Sequence, residues 1–129
     1  MTLLTIHGII VVSDEKINEK KEVMNMEKAT KLMELKAQKT VLMGMVEKLD
    51  KEWDLVTEDI YDAKRQMNDL MSMETYEEGK YELLEKRRYK LYGKRQGLNS
   101  AIFEIEEQIS NINQAIIDMT RQIAQDENF

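Results

Sequence analysis

The sequence of 129 residues contains no proline and no cysteine, and only 6% of its residues are aromatic. Without proline, no residue ends a helix by removing a backbone N–H donor. Without cysteine, disulfides and thiolate metal sites are excluded, which fits a reducing compartment. The scarcity of aromatic residues leaves little bulk for an ordinary globular core. These absences favour long helices over a compact mixed fold.

Charge and helix-forming residues make up much of what is present. Charged residues account for 34% of the chain, and the net charge is −6. A chain of this length holds one domain at most. Because nucleic acid phosphates repel an acidic protein, we expect no nucleic acid partner.

The apolar segment 2–12 resembles neither a signal peptide nor a membrane span. It has no basic n-region and no small-residue cleavage site, and a span needs about 20 apolar residues. We interpret residues 1–13 as an apolar N-terminal tail, either a docking segment or a β-prone one. A partner-binding strand and a membrane-surface anchor are the alternatives. We expect no membrane insertion and a cytoplasmic location.

The strongest signal is a seven-residue repeat in each half of the chain, which we call the seam. In the first half the seam positions are Leu32, Leu35, Lys39, Leu42, Val46, Leu49, Trp53, Val56, Ile60, Ala63, Met67 and Leu70. In the second half they are Tyr81, Leu84, Arg88, Leu91, Arg95, Leu98, Ile102, Ile105, Ile109, Ile112, Ile116, Met119 and Ile123. Alternating steps of three and four residues predict a left-handed coiled coil. Before Leu32 the apolar repeat is lost.

The segment between the two halves has the features of a turn. The seam fails there at Glu74 and Glu77, and Thr75 and Glu78 have the spacing of a capping box. Gly79 weakens the helix locally. We therefore predict an all-α fold of two long antiparallel helices that form a coiled-coil hairpin over residues 14–126. The predicted helices cover residues 14–71 and 76–125, with the turn near residues 72–75.

A single continuous helix is the alternative to the hairpin. Leu70 and Leu84 are fourteen residues apart, so the heptad phase is unbroken across the predicted turn. The hairpin has a compensating advantage, because folding near residue 74 sets Arg95 opposite Trp53. A cation over an aromatic ring stabilises a fold by about 0.5–2 kcal/mol.

The residues of an active site are missing. The one histidine is His7, and the sequence has neither a Gly-rich phosphate loop nor a Glu-x-x-His metal-binding pair. We expect no enzymatic activity, no catalytic residue, no metal site and no cofactor.

A basic cluster with interleaved tyrosines is the clearest charge asymmetry. Its members are Lys86, Arg87, Arg88, Tyr89, Lys90, Tyr92, Lys94 and Arg95. One interpretation is a solvated face paired with acids across the hairpin, namely Glu52, Asp54, Glu58, Asp59 and Asp62. The second is a docking site for an acidic protein surface, and the third is a nucleic acid site. We take the eight residues as the candidate partner-binding site.

Several methionines lie off the seam. Met43, Met45, Met71 and Met73, together with Leu55, predict either loose seam packing or a second apolar face that adapts to partners.

Residues 81–91, with the sequence YELLEKRRYKL running on to Leu98 and Ile105, resemble part of a known family. They are similar to the second helix of the central stalk proteins of type III secretion and flagellar ATPases, the YscO/FliJ-like coiled-coil hairpins. The resemblance implies a hairpin inserted in the pore of a hexameric secretion ATPase. Such a stalk is a non-enzymatic activator that links the ATPase to the export gate.

Two other functions are open. Off-seam methionines are compatible with a coiled-coil chaperone or escort that holds aggregation-prone clients. The unbroken heptad phase is compatible with a homodimeric structural scaffold built on one continuous helix.

Overall fold

The described part of the chain forms two helices. The structure, a computed structural model, describes the backbone of residues 2–75 and 77–127 and the side chains of residues 19–75 and 77–127. Helix α1 spans Thr2–Met71 and helix α2 spans Glu78–Glu127. They pack against each other as an all-α helical hairpin, which confirms the predicted fold class. The alternative of one continuous helix is wrong, because α1 ends before the charged segment in which the seam fails.

The C-terminal end of α1 uses its last carbonyl groups as hydrogen-bond acceptors. The backbone N–H of Ser72 donates to the carbonyl of Asn68 at 3.1 Å, and that of Met73 donates to the carbonyl of Leu70 at 3.2 Å. The Ser72 hydroxyl donates to the carbonyl of Asp69 at 2.8 Å. These bonds satisfy acceptors that a helix end leaves without intrahelical partners.

Helix α2 begins two residues later than the sequence predicts, and it ends two residues later. The carbonyl of Glu77 accepts from the N–H groups of Lys80 at 3.1 Å and Tyr81 at 3.4 Å, so Glu77 occupies the cap position. A capping box led by Thr75 would need the helix to begin earlier. Helix α1 begins at Thr2 rather than at the predicted residue 14. The role assigned to the tail over residues 1–13 concerns side chains outside the described ones and stays a prediction.

The chain divides into two compact units. One of them is Val41–Ile109, and it contains the buried apolar residues. The buried residues of this unit are Val56, Ile60, Ala63 and Met67 of α1 and Leu98 of α2, each at most 8% exposed. Those of α1 recur at steps of three and four residues, so they lie along one face of that helix. Every other seam position in this unit is at least half-buried, as the predicted register requires.

The other unit comprises Met1–Thr40 and Ser110–Phe129. Its apolar seam positions, from Leu32 and Leu35 to Ile123, are half-buried. The register continues beyond them with polar residues, because Asn25, Lys28 and Asp126 occupy the next seam positions and are half-buried as well. The Lys28 ammonium donates to Asp126 Oδ2 in an ion pair between α1 and α2. The seam therefore changes chemistry before Leu32 instead of ending there.

In the part of the chain that the structure describes, no helix is long and apolar enough to cross a membrane.

Candidate protein-interaction face

Helix α2 carries the eight predicted site residues at two depths and on more than one side of the helix, and we call the set the basic–aromatic face. Arg88 and Arg95 are seam residues, and Tyr92 lies four positions after the first and three before the second, so the three share one side of the helix. These three side chains are half-buried. The remaining five are exposed, namely Lys86, Arg87, Tyr89, Lys90 and Lys94.

The half-buried part of the face is a cluster of cations around the ring of Tyr92. The guanidinium carbon of Arg95 lies 5.3 Å from the ring centroid, and that of Arg88 lies 5.9 Å from it. The ammonium of Lys64, which belongs to α1, lies 5.7 Å from the same centroid. All three distances are within the range of cation–π attraction, about 6 Å. We call Lys64, Arg88, Tyr92 and Arg95 the Tyr92 cluster.

Other rings extend the cluster on both sides. The guanidinium of Arg95 also lies over Trp53, 5.6 Å from its centroid, as the hairpin register predicts. The ring of Tyr61 lies 5.8 Å from the ammonium of Lys64. The ring of Tyr89 lies 5.9 Å from the guanidinium carbon of Arg88. Lys64, Arg88 and Arg95 thus each lie near two aromatic rings.

The acids that the sequence offered as partners do not pair with the basic–aromatic face. Among the described side chains, no carboxylate lies within ion-pairing distance of the eight residues or of Lys64. Asp62 instead pairs with Arg65 on its own helix. The other four acids are exposed, namely Glu52, Asp54, Glu58 and Asp59. The pairing across the hairpin is therefore absent among the described side chains, although five of the eight residues are solvated as that interpretation expects.

The cations change the chemistry of the Tyr92 phenol. A hydrogen bond from Lys64 is the main reason that the pKa of Tyr92 is lowered from its ordinary value of 10.0. Burial opposes this shift, and the charges of Lys64, Arg88 and Arg95 add to it. The hydrogen bond and the nearby positive charges both stabilise the phenolate more than in an isolated tyrosine, which is why the pKa is lowered.

Two polar atoms in this region have no hydrogen-bond partner. Arg88 Nε and Trp53 Nε1 are both buried donors without an acceptor. A buried donor without an acceptor costs about 1–3 kcal/mol. One of these donors, Arg88 Nε, belongs to the Tyr92 cluster, and the excess positive charge of the cluster suits the binding of an anion.

Lys64 is the functional residue that sequence reasoning missed. Charge counting along α2 cannot find it, because it lies on α1. The heptad register does contain the signal, since Lys64 follows the seam residue Ala63 just as Tyr92 follows the seam residue Leu91. In an antiparallel pair, positions that follow the seam on each helix line the same edge.

Among the described residues, no group of three or more histidine, cysteine, aspartate or glutamate side chains is arranged to hold a metal ion. The expectations that the protein has no catalytic residue, no cofactor and no enzymatic activity stay predictions.

Comparisons of this chain with protein-family models, with curated proteins and with solved structures give no match. The resemblance to the stalk proteins of secretion ATPases therefore stays a prediction.

Proposed function

We propose that this protein is a non-enzymatic interaction protein, a helical hairpin that docks onto an acidic protein surface through its basic–aromatic face. The specific form implied by the family resemblance is a stalk. In that form the hairpin binds and activates a hexameric type III secretion ATPase and links it to the export gate.

One observation carries the proposal: the cations of the basic–aromatic face are uncompensated among the described side chains. The chain has 25 acidic and 19 basic residues, so acids were available to neutralise the cluster. Exposed tyrosines and arginines are also residue types that are enriched where proteins bind one another. A surface of this kind favours a partner that supplies the missing negative charge.

The stalk form is tested with a purified type III secretion ATPase and the full chain. We expect the chain to bind the ATPase and to raise its rate of phosphate release. A variant with Lys86, Arg87, Lys90 and Lys94 all replaced by glutamine is expected to bind about tenfold more weakly or worse, since each exposed charge contributes about 0.2–1 kcal/mol.

The matched control has the same loss of charge elsewhere on the molecule. In this second variant, glutamine replaces four exposed lysines of α1, namely Lys20, Lys31, Lys36 and Lys48. This control should bind like the unmodified chain. Equal weakening of both variants would show a general charge effect and contradict a specific face. A chain that neither binds nor stimulates the ATPase would remove the stalk form.

A second candidate function, a coiled-coil chaperone or escort, is favoured by a stripe on the outer face of α1. An uncharged residue recurs at alternating steps of three and four positions, in Val23, Met26, Thr30, Met33, Ala37 and Thr40. Val23, Met26 and Met33 are 54%, 69% and 71% exposed. The hydroxyls of Thr30 and Thr40 donate to backbone carbonyls at 2.9 and 3.0 Å, which leaves their methyl groups for the stripe.

This stripe fits a binder of exposed apolar segments, because flexible methionine side chains adapt to varied surfaces. The test is the light scattering of an aggregating client protein with an equal amount of the hairpin. We expect suppression that is lost when Met26 and Met33 are both replaced by glutamine. Scattering that is unchanged by the unmodified hairpin would remove this candidate.

A further inference from the structure

We propose that Lys64, Arg88 and Arg95 form a receptor for a single carboxylate group beside the ring of Tyr92. The carboxylate is an aspartate or glutamate side chain on a helix of the acidic partner. This inference rests on the proposed function, because it names the chemistry by which that partner is recognised. It adds a residue of α1 to a face that the sequence placed on α2 alone.

The first step is the local balance of charge. Three cations lie 5.3–5.9 Å from the centroid of one ring, and among the described residues none has a carboxylate within ion-pairing distance. Cation–π contacts offset part of the repulsion between like charges. An anion that binds beside the ring relieves this repulsion.

The second step is the geometry of the donors. Arg88 and Arg95 each carry a planar fork of N–H groups that matches the two oxygens of a carboxylate. Among the described side chains, no carboxylate pairs with either guanidinium, so no ion pair occupies the two forks. Lys64 contributes an ammonium from the other helix, and its donors beyond the hydrogen bond to Tyr92 are available to a ligand. Cationic donors from α1 and α2 thus lie around one ring, each 5.3–5.9 Å from its centroid.

The third step separates a carboxylate from the phosphates of a nucleic acid. A groove that binds a nucleic acid strand carries cations along many nucleotides. Here three cations surround one ring, and the whole chain has a net charge of −6 that repels a polyanion. A compact receptor in an acidic protein suits one carboxylate at a protein interface.

The experiment uses the full chain and a capped, alanine-rich helical peptide with glutamates along one face. Fluorescence of Trp53, the one tryptophan in the chain and a neighbour of Arg95, reports binding. Lys64→Gln is expected to weaken binding about tenfold, because it removes a charge-assisted hydrogen bond. Lys64→Arg should restore most of the affinity. Lys48→Gln, also on α1 and exposed, is the matched control and should bind like the unmodified chain.

Each alternative outcome has a distinct meaning. If Lys64→Gln binds the peptide as tightly as Lys48→Gln does, the receptor is overturned. The proposed function survives that result if the variant with glutamine at the four exposed cations of α2 still binds the peptide more weakly than the unmodified chain. Absence of peptide binding by the unmodified chain would overturn the receptor, and the proposed function would then stand or fall on binding of the secretion ATPase. Tighter binding of a single-stranded oligonucleotide of equal charge would assign the cluster to phosphate instead.

Discussion

The guanidinium of Arg95 lies over the indole ring of Trp53, 5.6 Å from the ring centroid, and joins α2 to α1 in the middle of the seam. An arginine at an otherwise apolar seam position is desolvated at a cost, and the ring face offsets part of that cost. The two residues are therefore expected to depend on each other energetically.

A double-mutant cycle measures this dependence. We expect Arg95→Met and Trp53→Leu, made singly and together, to give a coupling of about 0.5–1 kcal/mol in the free energy of unfolding. Urea unfolding followed by far-ultraviolet circular dichroism supplies the four values. Arg87→Met provides the control. Arg87 is exposed, so the changes in free energy of unfolding caused by Arg87→Met and Trp53→Leu should simply add in the double variant. A coupling of zero for Arg95 would show that the stacked geometry contributes nothing.

The heptad repeat predicted this relationship, and it predicted the helical hairpin and the residues that line the seam. Hydrophobic periodicity succeeds here because each seam residue faces the other helix in a simple two-helix arrangement. Counting apolar residues fails where the seam turns polar. The seam continues at polar residues, namely Asn25, Lys28 and Asp126. The apolar repeat therefore stops at Leu32 although the heptad register does not.

The Tyr92 cluster was only half predictable. Its α2 members stand close together in sequence, whereas Lys64 joins them through the pairing of two helices. The sequence also offered several nearby acids as neutralising partners. Pairing requires side chains to meet in space, and Asp62 meets Arg65 one turn along its own helix instead of the arginines of α2.

The core of the unit formed by residues 41–109 gives a direct test of the packing. Ile60 is 1% exposed and contacts the cluster of Val56 and Leu98. Ile60→Ala is expected to lower the free energy of unfolding by about 2–4 kcal/mol, because it removes buried surface and leaves a cavity. Leu55→Ala, on a side chain that is 61% exposed, should change it by less than about 0.5 kcal/mol. Similar losses from both variants would contradict the observed seam.

The ion pair of Lys28 and Asp126 ties the two helices of the other unit together. Their side chains are 22% and 39% exposed, so solvent screens the pair only in part. Lys28→Glu and Asp126→Lys should each destabilise the protein by about 0.5–1 kcal/mol at low salt. The double variant restores the opposite charges and should recover the loss. Failure of the double variant to recover stability would show that the charges do not interact.

Gly97 is a helical position at which stability can be gained. It is exposed within α2, and a Cβ built there meets nothing within 4 Å. Gly97→Ala is therefore expected to stabilise the protein by about 0.5–1 kcal/mol, through the lower backbone entropy of the unfolded chain and the higher helix propensity of alanine. Thermal unfolding followed by circular dichroism checks the direction. A loss of stability would mean that another chain approaches the backbone at Gly97.

The phenol of Tyr92 gives a spectroscopic test of the cluster. Because the hydrogen bond from Lys64 and the neighbouring positive charges lower its pKa, part of the tyrosinate absorbance should appear below the ordinary value of 10.0. Tyr92→Phe should remove that part of the titration curve. Lys64→Gln should shift it towards higher pH, because it removes the largest cause of the lowered pKa. Curves that coincide for all three proteins would contradict the cluster.

The same shift fixes how stability depends on pH. Folding lowers the pKa of the Tyr92 phenol, so the phenolate is more stable in the folded protein than in the unfolded chain. The stabilisation from Tyr92 is therefore present above the unfolded pKa of 10.0 and is lost as the pH falls through the folded pKa. Relative to Tyr92→Phe, the unmodified protein should gain stability as the pH rises from neutral through this window. Urea midpoints of the two proteins at several pH values measure the gain, and a difference that stays constant or shrinks would refute it.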